Sequence, residues 1–550
     1  MTSASTSATS TGGSVDTAGQ VAGRPSGLVR PPSNLIGGEW VTIDTPDPAS
    51  PGAACSRNPA EPGSIVYAFT PRIEHVHRAV TAARSALPKW SGIPKQVRME
   101  VLQTFARLAK SRASALADLI CDEVGKVLWE ARQEAALLGS KVDITLDSAP
   151  EGGMRRVTDF EVPLTATRQG RCTFRAHGVM AVIGPFNFPA HLPNGHIVPA
   201  LAMGNTVVFK PSDKAPAVGQ FLAELFDEAL RERLGGAMIP GVINLVQGGA
   251  DVATSLVTHP EIDAIAFTGS WPVARRILEV NIDHPGRMIA LELGGSNPAV
   301  VMPDADLRLA AIEVVRCAFI TTGQRCTCTR RLIVHRAVAD RIIPAVCKAA
   351  SNLVIGHPRA AHPVFMGPIN NASAQRAVLE FQSRALVHGG KALLEAREVD
   401  STTGGFFLSP GIIQVERFSP VESSDPGCDA EIFGPLLRVA VVDSLDEAIA
   451  QANATRYGLA ASIFTQDPDA QQRFLTEVRA GCININTGTA GASSKLPFGG
   501  LGLSGNHRPA GSFALDYCAV PVASMIERDP IAGATIPEGM RFDSAWLKST

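Results

Sequence analysis

The sequence predicts an α/β protein built from two doubly wound domains and a small β arm. Three observations carry that expectation. Short apolar, β-branched runs start at residues 179, 206, 242, 264 and 288, the interval expected of βαβ units. Helix-period segments at 214–233 and 272–280 fill gaps between them. A second set of such runs follows at 298–302, 330–334, 437–442, 461–464 and 482–486. Continuously apolar strands belong in parallel sheets covered on both faces.

Taken in order along the 550 residues, the first 33 are rich in Ser, Thr, Gly and Ala and carry no apolar run. Such a stretch cannot bury enough surface to order itself, so a disordered tail is expected. It lacks the hydrophobic core of a secretory signal. From Ile73 to Lys110, Val76, Val80, Ala83 and Leu87, then Val97, Val101, Phe105 and Leu108, recur at helical spacing. Pro88 is the expected break between these two helices, and 113–140 continues the helical pattern. The segments 157–177 and 511–525 are strand-like but fit neither sheet. They are the candidate β arm.

The composition excludes several functions. Lys+Arg number 50 and Asp+Glu 52, a net charge of −2, and no basic block marks a nucleic-acid footprint. No run approaches the roughly 18 apolar residues that a membrane span needs. The ten cysteines are scattered without a C-x-x-C pair. A disulfide framework is not expected, and special thiols must be found by their surroundings. His191 and His196 lie five apart, which places them on different faces of a helix, and no third ligand stands out, so no metal is expected. A G-x-G-x-x-G match at Gly500, Gly502 and Gly505 follows no strand and opens no helix. It reads as a loop.

Chemistry-bearing residues lie at strand ends. Lys210, Ser212 and Asp213 follow the run at 206–209. They stand where doubly wound sheets hold ligands, or they are a solvated loop pair. Gly269-Ser270 opens the helix after 264–267. Its N–H groups can face a phosphate, as can those of many βα loops. Glu292 ends an apolar run beside two glycines. Burial would raise its pKa and suit a general base; a charge escaping at the strand end is the alternative. Asn187, in Pro185–Pro189, can donate its amide to an oxyanion or shape a turn. Cys326, in Gly323-Gln324-Arg325-Cys326, is a nucleophile if Arg325 depresses its pKa, and otherwise a structural thiol.

Jointly these residues resemble the aldehyde dehydrogenase superfamily. Asn187 precedes Lys210 by 23 residues and Glu292 precedes Cys326 by 34, and LELGGSNP (291–298), GQRC (323–326), EIFGP (431–435) and PFGGLGLSG (497–505) are similar to its signatures. The resemblance runs from about residue 35 to the C-terminus. It implies two Rossmann-type domains, with 34–156 and 177–294 binding NAD and 295–505 holding the nucleophile. It implies an oligomerisation arm from 157–176 and 506–528, and terminal tails at 1–33 and 529–550. Cys326 would attack the aldehyde, Asn187 would hold the oxyanion, and Glu292 would activate the hydrolytic water. NAD would lie on Lys210, Ser212, Asp213 and the turn Gly269, Ser270, Trp271, Pro272, Val273, Ala274, with Glu431 at the nicotinamide ribose and Phe433 beside it.

Two departures stand out: the usual second glycine of that turn is Ala274, whose methyl should crowd the backbone, and Asp213 stands where Glu is common. An acid there still disfavours a 2′-phosphate, so NAD is expected over NADP. Stretches such as GPFNFPAHLPNGHIVPALAMGNTVVFKPS (184–212) and GQRCTCTRR (323–331) are similar to the branch that oxidises N-succinylglutamate 5-semialdehyde in arginine catabolism. The resemblance thus implies a cytoplasmic homodimer or homotetramer acting on a small acidic aldehyde. The alternatives are another aldehyde on the same scaffold and a nucleotide-binding protein without catalysis.

Overall fold

Glycine, proline and polar turns divide the chain into short apolar strands and amphipathic helices, and the computed structural model describes residues 27–548 of it. Most of the expected N-terminal tail lies outside the described residues, but its end is ordered. Leu28 is fully buried, and the Val29 and Arg30 N–H groups donate to Glu224. One leucine and two satisfied amides are enough to anchor a polar stretch.

The first sheet grows from β1 (Ser33–Ile36) and β2 (Glu39–Thr42). A separate hairpin follows, β3 (Ala54–Asn58) and β4 (Glu61–Phe69). Four helices come next: α1 (Glu74–Gly92), α2 (Lys95–Ser111), α3 (Ala113–Val124) and α4 (Leu128–Leu146). The break between α1 and α2 is not at Pro88, which sits inside α1. Trp90 is fully buried one turn from the end and keeps the chain helical past the proline. The helix stops at Ile93, whose extended conformation is what a following Pro94 enforces.

After the hairpin strands β5 (Phe160–Pro163) and β6 (Arg168–Ala176) the parallel core begins. It runs β7 (Val179–Ile183), α5 (His191–Ala202), β8 (Thr206–Lys210), α6 (Pro216–Leu234), β9 (Ile243–Leu245), α7 (Ala250–Val257), β10 (Ala264–Thr268), α8 (Trp271–Val280) and β11 (Met288–Glu292). The strand order is β11-β10-β7-β8-β9-β1-β2, parallel from β11 to β9 and antiparallel at β1 and β2. β7, β8 and β10 are buried along their whole length, and each fully buried Val, Ile or Phe in them contributes roughly 1.5–3 kcal/mol. The order reverses around β7. A crevice therefore opens at the carboxyl ends of β7, β8 and β10.

The second sheet contains β12 (Asn297–Val301), then, after α9 (Leu307–Phe319), β13 (Thr329–His335), β14 (Lys391–Leu394), β15 (Gly411–Gln414), β16 (Leu436–Val442), β17 (Ala460–Phe464) and β18 (Cys482–Ile485). Its order is β14-β15-β16-β13-β12-β17-β18. β14 and β15, an edge strand and its neighbour, carry too short a pattern to be expected. A two-residue ladder joins β19 (Pro497–Phe498) to β20 (Ala510–Gly511). Between them Gly500, Gly502 and Gly505 shape a loop with one 3-10 turn.

β21 (Ala519–Glu527) pairs with β6, which pairs with β5, in a three-stranded antiparallel sheet. The strand-like stretch at 511–525 becomes strand only from Ala519. Residues 512–518 are turns that bury Ala514, Leu515, Tyr517 and Cys518, so apolar content there reflects burial and not strand. Residues 529–548 are almost wholly exposed, their two short helical turns included.

Candidate active site

The carboxyl edge of the first sheet faces the loop that precedes β13. Glu292 ends β11 opposite Thr268 of β10 and is 4% exposed. Desolvation by burial pushes its carboxyl up to about 8, against the pull of the Lys141 ammonium. Its Oε1 has no hydrogen-bond partner. A buried carboxyl left unsatisfied and poised near neutrality is unfavourable for stability, and suits a proton acceptor. Its strand is clamped by the distant segment after β19: Leu293 N–H donates to Ser504 O, and Asn506 bonds Leu291 N and Ile289 O.

Cys326 and Glu292 line one cavity of about 170 Å³, with Phe188, His191, His196 and Lys141 among its other walls. Burial pushes the Cys326 thiol up to about 12, helped by the charges of Glu292 and Glu431. The expected depression by Arg325 is absent. That guanidinium turns away and bonds Glu130 Oε1 at 2.5 Å and Thr321 Oγ1 at 2.7 Å. Adjacency in sequence did not translate into adjacency of charge.

The loop before Cys326 is strained. Thr321 and Thr322 have φ of 53° and 55°, and Gly323 has 70°. Two β-branched residues in the left-handed region persist only when their surroundings hold them. Thr321 Oγ1 donates to Glu130 at 2.6 Å and Thr322 Oγ1 to Gly367 O at 2.9 Å. At Gly323 a Cβ would lie 2.1 Å from Gly434 O. Asn187 is buried just beyond β7, and its Nδ2 donates to Gln324 O at 2.9 Å. The second N–H of that amide makes no hydrogen bond among the described residues. Asn297 Nδ2 fixes the Cys326 and Cys328 carbonyls at 2.7 and 2.8 Å.

The predicted dinucleotide residues line the same edge. Lys210 is buried at the end of β8, donates to Pro211 O at 2.8 Å, and is pushed down to about 8 by burial. Asp213 is exposed beside the half-buried Ser212. Gly269 and Ser270 lead into α8, and Ser270 makes no side-chain cap bond. The first-turn N–H groups of α8 are thus free of a side-chain acceptor. Trp271 is half-buried, and Pro272 and Val273 are exposed. The Ala274 methyl is buried in an apolar cluster with Phe267 and Ile277.

Glu431 reaches in from the second sheet, accepts from Gly295 N at 3.1 Å and is pushed upward by burial. A Cβ on Gly294 would fall 1.9 Å from its Oε2, so only glycine admits it. Phe433 meets Phe186 edge-on at 5.9 Å. A helix N-terminus without a side-chain cap, an exposed acid and a glycine-made seat for Glu431 stand along the carboxyl edge of one sheet, a donor and acceptor set that suits a nicotinamide dinucleotide.

Several participants escape sequence reasoning: Glu130, Glu134 and Lys141 on α4, the Thr321-Thr322 turn and Asn297. The signal for the α4 residues was their shared helical face, hidden because charge on a helix reads as solvent-facing. Glu134 accepts from Lys126 Nζ at 2.5 Å and from the Ala190 and His191 N–H groups that open α5. His196 bonds Tyr517 and Thr268. Among the described residues, no group of three or more His, Cys, Asp or Glu is placed to hold a metal ion, and no helix is long and apolar enough to cross a membrane.

Comparison with known proteins gives the geometry its context. Residues 49–521 match the model of the aldehyde dehydrogenase family. The chain is 43% identical to N-succinylglutamate 5-semialdehyde dehydrogenase of Sphingopyxis alaskensis, over 88% of this chain and 96% of that one. Its fold is similar to 3,6-anhydro-L-galactose dehydrogenase in complex with NADP, with TM-score 0.81, 29% identity, and coverage of 90% of this chain and 100% of that one. It is also similar to betaine aldehyde dehydrogenase of Staphylococcus aureus in complex with NAD+, with TM-score 0.81, 25% identity, and coverage of 90% and 95%. The meeting of thiol and carboxyl in one cavity at the edge of a doubly wound sheet agrees with the match over most of the chain's length, and the chain belongs to the aldehyde dehydrogenase family.

Proposed function

We propose that the protein oxidises N-succinylglutamate 5-semialdehyde to N-succinylglutamate with NAD, through a thioester on Cys326. The observation that carries this reading is the meeting of Cys326 and Glu292 in one cavity, with the Asn187 amide on the loop that leads to the thiol. The relative from Sphingopyxis supports the substrate.

The thiol proton passes to the Glu292 carboxylate, and the sulfur bonds to the aldehyde carbon. The carbonyl oxygen gains the electron pair and is held by Asn187 Nδ2–H and the Cys326 backbone N–H. The bound nicotinamide supplies the hydride acceptor that turns this adduct into a thioester. Glu292 releases the thiol proton to solvent and, again a carboxylate, takes a proton from water, whose oxygen attacks the acyl carbon. The C–S bond breaks, the carboxylate leaves and the thiolate is restored.

Asp213 favours NAD, since an acid at the ribose repels a 2′-phosphate; Lys210 and Ser212 stand beside it, Gly269 to Ala274 at the pyrophosphate, and Glu431 with Phe433 at the nicotinamide end. Ten free cysteines suit a reducing cytoplasm. The exposed Phe160, Val162, Leu164 and Met525 of the three-stranded sheet suit an arm that joins a homodimer or homotetramer.

The test follows absorbance of the reduced cofactor with each nicotinamide form and a panel of aldehydes. N-succinylglutamate 5-semialdehyde with NAD should give the highest kcat/KM, and Cys326→Ala should reduce turnover by at least a thousandfold. Turnover that survives this substitution overturns the mechanism. A neutral aldehyde ranked first overturns the substrate.

A further inference from the structure

We propose that Lys141 is an anion subsite inside the aldehyde cavity, where its ammonium receives a carboxylate of the substrate while the aldehyde sits at Cys326. The inference rests on the function proposed above and names the group that selects an acidic aldehyde.

Lys141 projects from α4 and is 2% exposed. Its Nζ donates to Gly511 O at 2.6 Å. That partner is a neutral carbonyl, and among the described residues no carboxylate lies within ion-pair distance of this ammonium. A buried cation left so is costly and calls for a counter-ion.

The other bases near the cavity are already paired or neutral. Arg325 is paired with Glu130 and Lys126 with Glu134. Burial pushes His191 down to about 4, so its imidazole is neutral. The cavity's own acid is Glu292, which burial holds mostly protonated at neutral pH. Burial pushes Lys141 itself down to about 8, so at neutral pH it mostly keeps its proton, and among the described residues it is the charged base lining this cavity without an ionic partner.

There is also room for the ligand. Gly195, in the middle of α5, lines the same cavity, and a Cβ built there would meet nothing within 4 Å. Glycine in mid-helix is unfavourable, and here the absent side chain leaves space. His191 Nδ1, buried and without a partner, offers that space a neutral polar contact.

The experiment compares N-succinylglutamate 5-semialdehyde with its dimethyl ester, which has nearly the same shape without the charge. The ratio of their kcat/KM values is taken within one preparation of the full-length protein, so it does not depend on the fraction folded. Wild type should prefer the acid. Lys141→Met should collapse that preference by about ten- to a hundredfold, the scale of a lost charge-assisted hydrogen bond, chiefly through KM. Lys141→Arg should restore part of it.

An unchanged ratio, or an equal fall for both substrates, overturns the proposal and makes Lys141 a partner of Glu292 alone. If wild type rejects this semialdehyde yet prefers glutarate semialdehyde over its methyl ester, and Lys141→Met abolishes that preference, the named substrate fails while the subsite stands.

Discussion

Helices α1 and α4 are both 19 residues long and do opposite work. α1 packs on the first sheet, and apart from His75 its buried side is Val76, Ala79, Val80, Ala83, Ala86 and Trp90. α4 packs against α2, α3 and α5 and buries Glu130, Glu134 and Lys141 among Ala131, Ala135, Leu138 and Val142. The three buried charges on α4 all serve the region around the cavity. Glu130 holds the Thr321–Arg325 turn, Glu134 satisfies the start of α5, and Lys141 lines the cavity. The first helix supports a fold; the second spends stability on building a site.

The largest break in that contrast comes from Glu134→Ala. It leaves the Lys126 ammonium buried without its partner and two α5 amides unsatisfied, and should destabilise by about 3–5 kcal/mol in chemical denaturation. Adding Lys126→Met should recover much of the loss. On α1, Val80→Ala should cost about 2 kcal/mol while kcat and KM per folded molecule stay as they were; a changed KM would mean that α1 also shapes the site.

Smaller and more telling is Glu130→Gln, which keeps the shape but releases Arg325. Turnover should fall about tenfold, or ~1.4 kcal/mol in barrier, with a smaller change in melting temperature. A fall in stability without a fall in kcat would return α4 to the ordinary role of α1. The finest effect is on pH. Glu292 is raised to about 8, so the acceptor form grows as pH rises. Between pH 7 and 8 the hydrolytic step, read by single-turnover decay of the thioester, should quicken about fivefold and then level off. Glu292→Gln should abolish that limb.

The same contrast explains what could be read from residue order. Continuous apolar runs announced β7, β8, β10, β12 and β17 closely because a strand buried on both faces has no reason to carry polar residues. Glu292 and Asn187 could be singled out because each stands where an apolar run stops, and Cys326 because it lies in a Gly-flanked turn beside Arg325. α4 was read as a helix, but its catalytic-side face was not, since Glu130, Glu134 and Lys141 look like solvated charges until their partners, up to 370 residues away, are known. The direction of Arg325, the left-handed threonines and the depth of Leu28 were hidden for the same reason. They are set by tertiary contacts and not by local pattern.

The late segment that grips Glu292 and Lys141 has a consequence for biosynthesis. The base strand is held by Ser504 and Asn506, and the cavity lysine by Gly511, so loops of more than 200 and 300 residues must close before either is placed. A nascent chain on the ribosome can form most of its first sheet early, yet it has no finished pocket until residues 504–511 emerge. The Cys326 thiol and the Glu292 carboxyl therefore share a finished cavity only after that segment has folded back.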